Sequence, residues 1–249
     1  MFRVWYRNFK VWLKHLQASL IGNLGQPFLF LLAFGFGLGK SVPEIEGMTY
    51  LQFIAPGLVA SAVMYSAAFE ATYGSYTRLS TQGTFEAILM TPINIVELAL
   101  GEILWGATKG LIAGLIMLAT LPLFGVTPSI WALGMIPLLF VEGIIFAALG
   151  LIMTAVATNY DFFNYFTSLV ITPFFLFSGI FFSLKAVNPL LRRVLMALPL
   201  SNVVDMSRML CYGRLDTISL IGFELMMILV FALAASWVAV VLLKRRMIQ

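Results

Sequence analysis

The chain has 249 residues, 61% of them hydrophobic and only 10% charged, with a formal net charge of +4. Soluble globular chains carry roughly 25% charged residues, so this composition leaves almost no room for a soluble domain and points to one polytopic membrane bundle. The single histidine, His15, and single cysteine, Cys211, exclude an internal disulfide and argue against a His/Cys zinc site, and the basic surplus sits at the chain ends and in one late loop, where it serves topology and lipid contact rather than nucleic acid.

Residues 2–16 separate cleanly on a helical wheel. Phe2, Trp5, Tyr6, Phe9, Trp12, Leu13 and Leu16 share one arc, and Arg3, Arg7, Lys10 and Lys14 share another. An aromatic face beside a basic face describes a helix lying in the headgroup plane. The alternative is a plain extension of the first span. No apolar core with a small-residue cleavage site stands here, so no cleavable signal peptide is expected.

A bilayer core needs about 20 apolar residues per helical span. Six stretches meet that length: 18–38, 50–73, 94–121, 130–157, 162–182 and 219–243. The expected fold is therefore all-α with six transmembrane helices. An even count places both ends on one side. Four basic residues near the N-terminus and Lys244, Arg245 and Arg246 at the C-terminus make that side cytoplasmic. The loop before the last span breaks this bias, with Lys185, Arg192, Arg193, Arg208 and Arg214. No internal repeat is evident, which weakens an inverted-repeat secondary transporter.

Four segments are candidates for work. In the stretch 82–91, Thr84 is placed to cap a short helix that puts Phe85, Ile88 and Leu89 on one side, with Pro92 ending it. Such a helix offers a knob to a partner, or is a connector resting on headgroups. The second candidate is the set of charges within the spans: Glu70, Glu97, Glu102, Lys109, Glu142 and Glu224. Charges at membrane depth are costly and are functional candidates by default. Glu97 follows Asn94 by three residues, a capping-box spacing. Glu102 and Lys109 share a face two turns apart, too far for a direct pair. They suit a polar stripe toward a path or a partner helix, and Glu142 is the hardest to explain as an end residue.

The third candidate is the loop 188–212, which reads as two short helices, with Ser201 capping the second and Asp205 and Arg208 paired at i, i+3. Its apolar content favours a re-entrant hairpin, which would carry the misplaced basic residues to an outer headgroup layer, over an ordinary ordered loop. The fourth is the aromatic span 162–182, with a kink expected at Pro173. Its Phe166, Phe174, Phe177 and Phe181 are either packing or a greasy gate on a central seam.

This order of parts resembles the ABC-2 type exporter permeases, and within them the branch of nodulation lipo-oligosaccharide, drug and polysaccharide exporters. The resemblance is carried by Tyr50-Leu-Gln-Phe-Ile-Ala-Pro-Gly57, Phe85-Glu-Ala-Ile-Leu-Met-Thr-Pro92, Gly101-Glu102, Ser178-Gly-Ile-Phe-Phe182 and Leu198-Pro-Leu-Ser-Asn-Val-Val-Asp-Met-Ser-Arg208. It implies a half-transporter in a bacterial inner membrane: two permease copies, each docking a separate ATPase that binds ATP and Mg. Phe85, Glu86, Ile88, Leu89 and Pro92 would form the coupling helix and 2–16 the connecting helix. The branch often has a His after Pro199 where this chain has Ser201-Asn202, so the resemblance leaves the substrate open. No Gly-rich phosphate loop ending in Lys-Ser or Lys-Thr occurs here, consistent with ATP hydrolysis on another subunit.

Three functions are weighed. The first is the membrane half of an ATP-driven exporter of an amphiphile, with no catalytic site of its own. The second, a polytopic enzyme, lacks convergent nucleophile, base or metal ligands. The third is a proton-coupled transporter using Glu102, Lys109 and Glu142.

Overall fold

A computed structural model describes every residue except 15–24, 26–27, 40, 214–217 and 249. The elements formed by the described residues are all helical, and their only extended pairing is an isolated bridge between Ile45 and Met48. Much of the expected span 18–38 lies outside them, as do His15, Leu16, Lys40 and Arg214. Its described end is helical and closes in a π-helical turn, Ala33–Leu38.

The first helix, α1 (Phe2–Leu13), packs lengthwise on a later span. Helix α2 (Tyr50–Phe69) starts from a reciprocal capping box between Thr49 and Gln52, a signal the sequence reading missed. It does not stop at Tyr73 as expected. Two π-helical turns, Glu70–Gly74 and Thr77–Thr81, carry it to Thr81, so the polar stretch after Tyr73 is helix too. A short α3 (Thr84–Leu89) follows. Thr84 is not its cap. Gly83 holds that position in the left-handed region (φ 60°), a conformation a glycine adopts without strain, and Thr84 is already helical.

Helix α4 (Ile95–Thr120) opens with the predicted capping box: Asn94 accepts from the Glu97 amide and Glu97 accepts from the Asn94 amide. Helix α5 (Met135–Val156) follows a 3-10 turn, Ile130–Gly134. These helices meet closely because small residues face one another. A methyl on Gly106 would sit 2.7 Å from Ala147 Cβ, one on Gly110 3.0 Å from the Val63 carbonyl oxygen, and one on Gly143 2.9 Å from the Ala107 backbone. Spans gain little from burying apolar surface against lipid, so such close backbone approach supplies the packing energy.

Helix α6 (Phe162–Phe177) is interrupted by a π-helical turn, Thr167–Ile171, just ahead of Pro173. Proline lacks an N–H and its ring crowds the carbonyl four residues back, which accounts for the widened turn. The helix ends where Gly179 takes φ +77°, well before Phe182, and is too short to meet the length of a span. Two further helices, α7 (Pro189–Met196) and α8 (Pro199–Tyr212), meet at 92°. Ser201 does not cap α8. The helix begins two residues earlier at Pro199, suited to a first-turn position, and the buried Ser201 hydroxyl has no hydrogen-bond partner among the described residues. The last helix, α9 (Ile218–Ile248), runs past the expected Leu243. By length and composition four helices of the described residues can cross a membrane, or five if the bent α7–α8 pair counts as one.

Candidate functional site: a charge network under the first helix

At the end of the bundle where α2 finishes and α4 begins, four charges form one chain. The Glu102 side chain, on α4, has no exposed surface. It accepts from Asn8 Nδ2 of α1 at 2.7 Å, Ser75 Oγ at 2.9 Å, and Arg78 Nε and Nη2 at 3.0 and 2.6 Å. Arg78 Nη1 also donates to Glu70 Oε1 at 2.9 Å, and Lys109 Nζ donates to Glu70 Oε2 at 2.7 Å. Trp105 Nε1 completes the Glu70 shell at 2.8 Å. Glu102 and Lys109 are thus joined through Arg78 and Glu70, across the two turns that separate them on α4. Two carboxylates and two cations balance, which is the condition for keeping buried charge.

Local sequence explains how these groups converge. The π-helical turns of the α2 extension rephase the helix so that Glu70, Ser75 and Arg78 meet. Gly74 leaves room, since a Cβ there would stand 2.7 Å from Glu70 Oε1. Gly101 lets α1 settle on α4, since a Cβ there would lie 2.6 Å from Val4 Cβ and 2.9 Å from the Met1 carbonyl oxygen. Trp5 Nε1 donates to Thr108 Oγ1 at 2.9 Å, and Phe9 and Trp12 stack edge-on against Trp105. Of Arg3, Arg7, Lys10 and Lys14, only Arg7 turns inward. It donates to Asn8 Oδ1 at 3.0 Å and reaches Thr84 Oγ1 of α3 at 3.4 Å. Arg3, Lys10 and Lys14 are exposed, with Lys10 over the Tyr6 ring.

The predicted knob on α3 is corrected. Phe85 is wholly buried in its own chain, and Ile88 and Leu89 are packed against the core. Those three anchor the helix. The side left open carries Glu86, Ala87 and Met90, the last 88% exposed, with Pro92 exposed beyond it.

The other sites fall elsewhere. Glu142 is fully buried in α5, and neither carboxylate oxygen has a partner among the described residues. It takes no part in the network. The four gate phenylalanines are dispersed. Phe166 is buried in the core, Phe174 stands edge-on to Phe146, and Phe177 is half exposed. Only Phe181 joins an aromatic cluster, with Phe30, Phe34 and Phe175, and Tyr65 touches Phe175. At the opposite end Arg208 pairs with Asp205 at 3.0 Å, as the spacing predicted. It also donates to the Phe53 and Gly179 carbonyls and lies 3.8 Å from the Phe53 ring centroid. Arg78, the centre of the network, was missed because it follows Tyr73, where the apolar run ends. Among the described residues no group of three His, Cys, Asp or Glu side chains is placed to hold a metal.

Residues 1–212 match the family model described as ABC-2 type transporter. This chain belongs to the ABC-2 type transporter family. The permease is 33% identical over 244 residues to nodulation protein J of Rhizobium meliloti (strain 1021), covering 98% of this chain and 92% of that one. It is 34% identical over 249 residues to nodulation protein J of Neorhizobium galegae, covering 99% and 93%. A more distant likeness, 25% over 185 residues, is to the inner membrane transport permease YadH of Escherichia coli (strain K12), covering 74% and 70%. The expected family is therefore right, and the chain is a multi-pass membrane transport permease rather than a catalytic subunit. The family implies an ABC ATPase partner.

Proposed function

We propose that this permease is the membrane half of an ATP-driven exporter of an amphiphile: a lipid-linked saccharide, a lipid or a hydrophobic drug. Two copies pair and each docks one ATPase subunit, which binds ATP and Mg. The α1 helix lies in the cytoplasmic headgroup plane of the inner membrane, both termini are cytoplasmic, and α3 is the coupling helix. The stretches 18–38 and 162–182 complete six spans, the latter as α6 together with the non-helical residues 178–182 that follow it, and α7–α8 form a re-entrant outer gate. The name of one relative, an inner membrane transport permease, supports the inner-membrane siting.

The observation that carries the reading is the mechanical continuity from α3 inward. Arg7 reaches Thr84 of α3, its neighbour Asn8 holds Glu102 of α4, and Glu102 holds Arg78 of the α2 extension. A push on the open Glu86–Met90 side of α3 is passed to α1, α2 and α4 together. Packed, hydrogen-bonded elements move as units. A proton-coupled carrier would need free carboxylates on a path, whereas Glu102 and Lys109 are consumed in the network and Glu142, unpartnered among the described residues, is enclosed in the bundle and does not line the cavity beside that network. The test is a mild-detergent pull-down of the tagged permease with mass spectrometry. A stoichiometric ATPase subunit supports the reading, and a permease recovered alone, under conditions that keep known complexes intact, rejects it.

A further inference from the structure

A cavity of about 240 Å³ opens between α1, the α2 extension and α4, lined by Arg7, Asn8, Val11, Trp12, Thr77 and Arg78 among others. A water molecule's share of liquid volume is about 30 Å³, so this space admits a polar group of several heavy atoms. Its lining is mixed: Val11, Trp12 and Trp105 contribute apolar surface, Arg7, Asn8, Thr77 and Gln82 polar groups, and Glu70 a carboxylate that Arg78 and Lys109 already neutralise. Its two cations differ. Arg78 is saturated by Glu70 and Glu102, while no carboxylate of the described residues lies within 4 Å of Arg7. The four-membered network is neutral, so Arg7 leaves the cavity with one surplus positive charge. Burial and the nearby Arg78 charge pull the Arg7 pKa below its ordinary value, against the opposing pull of Glu102. An anion seated here would relieve that repulsion. Guanidinium groups bind phosphate oxygens with short, charge-assisted hydrogen bonds, and indoles beside a cation are the composition of a headgroup-level site.

We propose that this cavity is a binding site for the phosphate of an anionic phospholipid of the cytoplasmic leaflet. The phosphate sits on Arg7, with Thr77 and Gln82 beside it, and an acyl chain leaves along Val11 and Trp12. The lipid would brace α1 against the α2 extension beside the Arg7–Thr84 contact. The proposal rests on α1 lying at headgroup depth, as in the function proposed above. A neutral lipid has no net charge to offset Arg7, and free phosphate has no use for the apolar wall.

The full permease, reconstituted in nanodiscs of mixed phosphatidylcholine and phosphatidylglycerol, is released for native mass spectrometry and its retained lipid counted. Wild type is expected to keep one phosphatidylglycerol per chain, and Arg7→Gln to lower that retention about tenfold. Arg3→Gln, on an exposed residue of the same helix, is expected to change nothing. Gln82→Trp fills the cavity without altering charge and should lose the lipid as Arg7→Gln does, which keeps the test open if Arg7→Gln misfolds. Equal retention by wild type and both cavity variants overturns the site, as does equal loss in Arg3→Gln, which would be adhesion to a basic helix. Displacement of the lipid by inorganic phosphate overturns the lipid assignment. A nitroxide on exposed Leu13 reads helix depth separately, so headgroup depth without lipid retention sinks this site alone.

Discussion

Arg78 holds together two carboxylates that would otherwise face each other inside the protein. Removing it by Arg78→Met leaves Glu70 with Lys109 but strands Glu102 without a charge partner. Breaking a buried pair in this way costs about 3–5 kcal/mol, so the variant should melt well below wild type in detergent. An unchanged melting curve would mean that water reaches Glu102 and the network is ornamental. At the other end Glu46 accepts hydrogen bonds from Ser183 and from Lys185, the latter at 2.8 Å. Burial works against the Glu46 carboxylate, but these bonds outweigh it and hold its pKa below the ordinary carboxylate value. A depressed folded-state pKa contributes stability that is present above the unfolded pKa and lost as pH falls through the folded one. Acidification through and below the carboxylate range should therefore loosen the 43–48 and 183–187 segments, read as faster backbone amide exchange after correction for its intrinsic pH dependence. Glu46→Gln should flatten that dependence. A wild-type profile retained in Glu46→Gln would assign the pH response to another group.

Among the elements, α2 and α8 illustrate how a sequence irregularity becomes a tertiary contact. Pro56 lies inside α2 and has no N–H to offer the carbonyl of Gln52, four residues back. That carbonyl accepts instead from the Tyr212 hydroxyl of α8 at 2.7 Å, and the next one, Phe53, accepts from Arg208 Nε at 3.2 Å. A double-mutant cycle tests the exchange. Tyr212→Phe alone leaves a backbone acceptor unpaired and should cost about 1–3 kcal/mol. In a Pro56→Ala background the restored amide satisfies Gln52, and the same change should cost less. Equal costs in both backgrounds would show that the proline does not open the acceptor. For α1, Gly101→Ala should lever the helix off α4 and expose it to protease, because its Cβ would overlap Val4. Undiminished protection would mean that Val4 and the Met1 carbonyl move aside cheaply. The α1 pattern and the Asn94–Glu97 box were legible because both depend on residues three or four apart. The reach of α2 to Thr81 was not, because π-helical turns carry polar residues that hydropathy assigns to a loop.

For the whole molecule, the sequence marked α3 as either a docking knob or a connector, and the structure buries the Phe85 side that the knob reading put outward. Since Phe85 is buried, Phe85→Asp should unfold the local structure rather than only block docking. Met90→Asp should weaken ATPase capture while the permease keeps its elution profile, and undisturbed capture would remove α3 from the interface. The membrane class was legible in composition, because the bilayer demands long apolar helices and tolerates few charges; the family was legible only through the resemblance of its short motifs, which the match over residues 1–212 bears out. The Asp205–Arg208 pair and the Pro173 irregularity were equally local, set by one turn of helix. What only the tertiary structure decided is which distant charges meet. Glu102 finds Arg78, 24 positions away, and Asn8, 94 positions away. Spacing along one helix cannot report a partner on another, and the glycines that allow these approaches show their purpose only when the helices are packed. The helix in 162–182 stops at Phe177 for a local reason: a left-handed Gly179 follows it, and nothing in the hydropathy of the stretch announces that turn.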